Sequence, residues 1–256
     1  MLTRDQLLEQ YKVVRNLNNV DFKICIITNG KAKEGGILLV GMNPSGDSDK
    51  DDRFDYLNCW GEPFWDPKHK MMGSNPKVER EEDRIGGFDK LCGYIDLFPI
   101  RKGRQVKFEE NNDKYNLLMG QLLSITQDYI EAYHPRLIIF ANTSIYYWGF
   151  KKKKDDFEEA KGIWMGYKFN KIKKKDSPLF GKQDKDYWPV YKIIGIEPSG
   201  VNRYRKQTSL EGSYFLRYRQ HLDQYGNSVP LNRELTSEDI RTIVEWIDPE
   251  WAKELL

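Results

Sequence analysis

The chain has 256 residues, with 41 basic against 39 acidic side chains and a formal net charge of +2. That length suits one generous α/β domain able to bury a sizeable core, and so balanced a charge neither requires nor excludes a polyanionic partner. Three cysteines, Cys25, Cys59 and Cys92, lie far apart with no C-x-x-C spacing, which argues against a disulfide framework, a zinc site or an all-cysteine iron–sulfur cluster.

In chain order, Thr3 to Leu17 has helical periodicity, and Thr3 and Gln6 are spaced as a capping box. Ile37 to Val40 is a short, uniformly apolar run, as expected of a strand covered on both faces. Residues 47–87 are irregular and rich in charge, Gly, Pro and aromatics, a connection too long for a simple loop. A second strand is expected over 94–99. From Asp113 to Tyr133, Leu117, Leu118, Leu122, Ile125, Tyr129 and Ile130 recur at helical spacing, and Pro135 stops the helix. Leu137 to Ala141 is expected as a third strand, and Asn142-Thr143-Ser144 offers caps for a short helix through Tyr147.

Residues 151–188 are basic and aromatic, and they read as an insertion with a hairpin around 163–169. Val190 to Ile196 is the fourth expected strand. Residues 210–225 and Ser237 to Ile247 are expected as helices, Thr236 or Ser237 capping the second. Strands separated by helices imply a single domain over residues 1–256. It should be an α/β fold in three α/β/α layers, around a short four-stranded, mostly parallel sheet with insertions near 47–87 and 151–188.

Two loops stand out. Gly41-Met42-Asn43-Pro44-Ser45-Gly46 follows the first strand, and Glu197-Pro198-Ser199-Gly200-Val201-Asn202-Arg203 follows the fourth. In open α/β sheets the carboxyl ends of the strands hold ligands, so the two loops are expected to meet there as one pocket. The lysine runs Lys151-Lys152-Lys153-Lys154 and Lys171, Lys173-Lys174-Lys175 have two readings. One is a solvated surface; the other is contact with a phosphate backbone. Trp148, Phe157, Trp164, Tyr167 and Phe169 between them are either stacking rings or a local apolar cluster.

With its strands, the set resembles the uracil-DNA glycosylase superfamily over roughly residues 37–205. Gly41-Met42-Asn43-Pro44 is similar to the first motif of the single-strand-selective and mismatch-specific branches, and Pro198-Ser199-Gly200 to the second. Asp96-Leu97-Phe98-Pro99-Ile100-Arg101 resembles the second-strand segment. His134-Pro135-Arg136-Leu137-Ile138-Ile139-Phe140 resembles the lead into the third strand, and Gly61-Glu62-Pro63-Phe64 the segment whose ring stacks on a flipped base.

The resemblance implies hydrolysis of the N-glycosidic bond of uracil or a related damaged base in DNA. Asn43 would orient the attacking water, since an amide is no general base, and Glu197 would stand near the departing base. Gly41, Met42, Pro44, Ser45, Phe64, Asn142 and Ser199 would line the base site. Val201, Asn202, Arg203, Tyr204 and Arg205 would meet the strand, filling the gap left by a flipped nucleotide or neutralising phosphates. Turn formation at Asn43 and Ser199, and ordinary packing at Phe64, are the competing readings.

Much of the family has a His where this chain has Glu197. Two like charges about 4 Å apart, at an effective dielectric near 20, repel by roughly 4 kcal/mol, about a thousandfold in rate. Glu197 would therefore be a neutral acid, turn away into a structural contact, or face a base whose N–H donors suit a carboxylate. DNA, single- or double-stranded, is the expected partner; no cofactor, metal or membrane is expected, and no protein partner is named. The cysteine usage, the absence of a secretory pattern at Met1 to Asp5 and the lack of a long apolar run point to the cytoplasm. A non-catalytic binder of single-stranded nucleic acid or nucleotide on the same fold is the alternative. A small-molecule enzyme sharing only the turn chemistry is a third reading.

Overall fold

The computed structural model describes residues 3–20, 24, 26, 34–42, 92–100, 113–140, 145–149, 165–179, 189–197, 205–217, 221–222, 228–229 and 237–255. Helix α1 is Arg4–Leu17, opened by the expected box: Thr3 Oγ1 accepts from Gln6 N–H, and Gln6 Oε1 accepts from Thr3 N–H. Strand β1 is Ile37–Gly41 and β2 is Cys92–Asp96. Helix α2 is Asp113–Tyr133 and β3 is Leu137–Phe140. Strand β4 is Tyr167–Lys171, β5 is Val190–Ile196, β6 is Tyr214–Arg217, and β7 (His221–Leu222) and β8 (Ser228–Val229) form a separate pair. Helices α3, Ser237–Ile247, and α4, Pro249–Leu255, close the described chain.

The α/β class is as expected, but the main sheet has six strands in the order β2-β1-β3-β6-β5-β4. β1, β2, β3 and β6 are mutually parallel, with Ile37 level with Cys92 and Leu137, and Leu137 level with Tyr214. β5 is antiparallel to β6, and β4 to β5. On one face, Leu38, Val40, Met42, Ile95, Ile138, Phe140 and Phe215 join Leu7, Tyr11, Leu118, Leu122, Ile130 and Tyr133 in the core under α1 and α2. Toward α3 and α4, the Tyr214 ring meets Trp246 at 5.1 Å and Arg136 lies over Trp251 at 5.4 Å.

Several expectations are corrected. β2 starts and ends earlier than 94–99; Leu97 and Phe98 follow it and donate to the carbonyls of Gly41 and Met42. The helix after Asn142 is a four-residue 3-10 turn, Ile145–Trp148. The 163–169 hairpin is instead β4 paired with β5. In place of a helix over 210–225, β6 inserts between β3 and β5. Gly212, at φ +96, has a backbone no right-handed helix accepts, and Tyr214 and Phe215 favour the pleat. α4 was not anticipated, although Asp248-Pro249-Glu250 spells a helix start: Asp248 Oδ1 accepts from the N–H groups of Glu250 and Trp251.

Candidate functional site

The parallel block is wound outward from β1: the chain goes to β2 on one side, then returns past β1 to β3 on the other. The carboxyl ends of β1 and β3 therefore flank a topological switch point, where open sheets leave a crevice for ligands. Gly41 and Met42 lie at the tip of β1, both buried, and Phe140 ends β3. Asn43, Pro44 and Ser45, which continue from β1, and Asn142, two residues past β3, lie outside the described residues.

At this edge the structure adds Tyr94 and gives a place to Asp96, to which the sequence assigns no role. Asp96, only 4% exposed, is level with Gly41 and accepts a hydrogen bond from Tyr94 Oη at 2.7 Å. Gly41 makes room for the pair. A Cβ there would lie 2.1 Å from Asp96 Oδ1 and 2.4 Å from Tyr94 Oη. The signal was present in the sequence: residues two apart on a strand share a face, so Tyr94 and Asp96 had to stand side by side at the end of an otherwise apolar run.

Glu197, the one described residue of the second loop, does not share this edge. β5 runs against β1, so its end is not among the carboxyl tips of the parallel strands. The ladder between β5 and β6 ends at Lys192, level with Tyr214, Leu137 and Ile37; beyond it β5 pairs only with β4. Its end is held beside α2. Glu197 N–H donates to Gly166 O at 2.8 Å, and neighbouring Met165 O accepts from Gln127 Nε2 at 3.1 Å. The Glu197 side chain is half exposed and lies 3.2 Å from Lys168 Nζ, so it is placed as a surface ion pair. Met42 and Glu197 are not two lips of one crevice.

Arg205, expected at a phosphate, is instead occupied by carboxylates. Its guanidinium pairs with Asp128 and lies 3.9 Å from Glu131 Oε1. Glu131 is the hub of this cluster, accepting from Tyr167 Oη at 2.8 Å, Thr208 Oγ1 at 2.7 Å, Ser209 N–H at 2.8 Å and Ser209 Oγ at 2.7 Å. Burial, and secondarily the Glu131 charge, push the Tyr167 phenol well above its ordinary range. Burial also raises the Asp128 carboxyl, outweighing the Arg205 attraction. The cluster ties α2 to the start of β4 and to the segment leading into β6.

Among the aromatics of the middle region, Trp148 and Tyr167 are core residues, 0% and 2% exposed. Trp148 packs on Phe140 at 5.6 Å and on Phe215 at 5.0 Å. The apolar-cluster reading therefore holds for these two. Phe64, Ser199, Val201, Asn202, Arg203 and Tyr204, with Phe157, Trp164 and Lys151 to Lys154, lie outside the described residues. Among the described residues no group of three His, Cys, Asp or Glu is arranged to hold a metal ion, and no helix is long and apolar enough to cross a membrane. Comparison with known protein families and with curated proteins yields no match to this sequence.

Proposed function

We propose that this chain binds a nucleobase at the carboxyl edge of β1 and β2 and hydrolyses its N-glycosidic bond, as a DNA base glycosylase-like hydrolase acting on uracil or a related deaminated base. One observation carries the reading: the buried Asp96 carboxylate, braced by Tyr94, lies against Gly41 at a switch point, two residues before Asn43. A carboxylate at the base of a crevice accepts from the imino N–H that uracil and hypoxanthine both present. Asn43 supplies an amide able to orient water toward the sugar carbon.

Glu197 has no part in this site. Held by Lys168 away from the β1 tip, it removes the charge conflict that a second-motif carboxylate would create. Asp96 is the specificity element in its place. It favours bases with a donor on the recognised edge and disfavours thymine-like bases only through crowding.

The test is strand scission at uracil or hypoxanthine in single- and double-stranded oligonucleotides. Wild-type protein should cleave, Asn43→Ala should lose about 100-fold or more in rate, and Asp96→Asn should shift the preference between bases. Cleavage unaffected by Asn43→Ala would sink the mechanism. Base-dependent binding without cleavage would leave a non-catalytic nucleobase reader.

A further inference from the structure

The lysines of the β4 strand and the turn after it are not used by the base site, yet their arrangement is directional. Among the described strands of the sheet β4 is the outermost. Lys168 and Lys171 lie on it, and Lys173 and Lys175 follow it; all four are exposed. Lys171 is level with Tyr191, Ile172 N–H bonds to Val190 O, and Arg217 N–H bonds to Pro189 O. The register therefore carries the chain upward from Lys171, so that Lys173 follows at the level where β3 and β6 end, and Lys175 lies in the 3-10 turn Lys174–Asp176 just after it. The lysines thus climb the flank of the sheet to the same edge that holds Asp96.

We infer that this lysine series is a track for the phosphate backbone of a nucleic-acid strand, approaching the carboxyl edge from the β4 side. Charge complementarity identifies the occupant. Beside these four cations the described part of the hairpin and turn offers two carboxylates, Asp176 and Glu197, and Glu197 already pairs with Lys168. Half-buried Phe169 and Tyr191 beside Lys171 pack on each other at 6.2 Å and against the core, Phe169 on Phe215 at 5.2 Å, so the cations carry the inference.

Lysine on an edge strand also blocks pairing with another sheet. That role is filled by Lys168 and Lys171 on the strand itself and gives no reason for Lys173 and Lys175 beyond it. The inference deepens the proposed function by naming where the strand lies. It rests on that reading only for the direction of approach.

The experiment is fluorescence anisotropy of a labelled 20-nucleotide thymidine strand, and of an abasic strand of equal length, across 50–200 mM salt. Wild-type protein should bind both. The Lys171→Gln, Lys173→Gln, Lys175→Gln triple variant should bind at least about tenfold more weakly at the lowest salt. Its slope of log affinity against log salt should flatten by about 2, from roughly 0.7 per phosphate contact on a single strand. A control triple, Lys12→Gln, Lys114→Gln, Lys253→Gln, carries the same charge change elsewhere, at one half-buried and two exposed positions, and should move the slope far less.

Equal weakening in both triples would reduce the effect to net charge and overturn the track. So would an unchanged slope in the first triple, or no binding by wild-type protein. The two readings separate cleanly. Loss of abasic-strand binding in the first triple supports the track even if no base is ever cleaved. A base preference that shifts with Asp96→Asn while the lysine variant binds normally leaves the base site standing alone.

Discussion

At the scale of single residues, Gly41 is the position with least freedom. Its missing side chain is the space in which Tyr94 and Asp96 meet, so Gly41→Ala must push the pair apart or bend β1. Overpacking of this kind costs about 1–3 kcal/mol. Urea unfolding should show a lower midpoint at unchanged slope. Tyr94→Phe removes the hydroxyl donated to a buried carboxylate and should also cost about 1–3 kcal/mol. In the Tyr94→Phe background the Gly41→Ala penalty should shrink, because one of the two colliding atoms is gone. Gly41 itself was conspicuous in the sequence as part of a Gly/Asn/Pro turn. What made it indispensable was a residue pair 53 and 55 positions downstream, and no local pattern announces a contact at that separation.

At the scale of elements, α2 is the member that binds the two halves of the sheet. Its apolar stripe was plain from periodicity, and it packs as that stripe requires. Its polar contribution was not, because Asp128 and Glu131 look like ordinary surface charges until β4 and the 205–210 segment close over them. Glu131→Ala removes the carboxylate that accepts from Tyr167, Thr208 and Ser209, leaving Ser209 Oγ only its bond to the Glu131 carbonyl. We expect a loss of about 2–4 kcal/mol and earlier proteolysis within 205–213. Asp128 contributes a pH dependence of definite sign. Its carboxyl is raised in the fold by burial, so folding favours its protonated form. Its contribution to stability is complete below the ordinary aspartate value and declines as pH rises through the raised one. Stability curves of wild type and Asp128→Asn over pH 3–7 should therefore converge toward acid and separate toward neutrality, once the lost Arg205 pairing is controlled by Arg205→Gln.

For the whole molecule, the decisive quantity is strand direction. The four expected strands, one with shifted bounds, and α1, α2 and α3 could be read from apolar period and capping residues. β6 could not, since Leu210, Tyr214, Tyr218 and Leu222 recur every four residues as on one helix face. Missing it also reverses the meaning of β5. A strand taken as the last of a parallel set is antiparallel to that set once another strand intervenes, and Glu197 moves away from the β1 tip. Motif matching at strand ends has no access to polarity, which is why Glu197 reads as a neighbour of the β1 tip. The prediction at this scale is an absence of effect. Glu197→Gln should leave nucleobase binding and scission within about twofold of wild type and stability within about 0.5 kcal/mol, whereas Asp96→Asn should alter substrate preference. A large defect in Glu197→Gln would show that the two loops cooperate after all.

The late arrival of β6 has a consequence for biogenesis. β3 must wait from residue 140 to residue 214 for the neighbour that covers its outer side. At about 5–20 residues per second of translation, that is roughly 4–15 seconds with an uncapped, wholly apolar edge, Leu137–Phe140, presented by the nascent chain. Ribosome-bound intermediates stalled before Arg217 should accordingly recruit chaperones that released full-length protein does not, and fragments ending in that window should precipitate on expression.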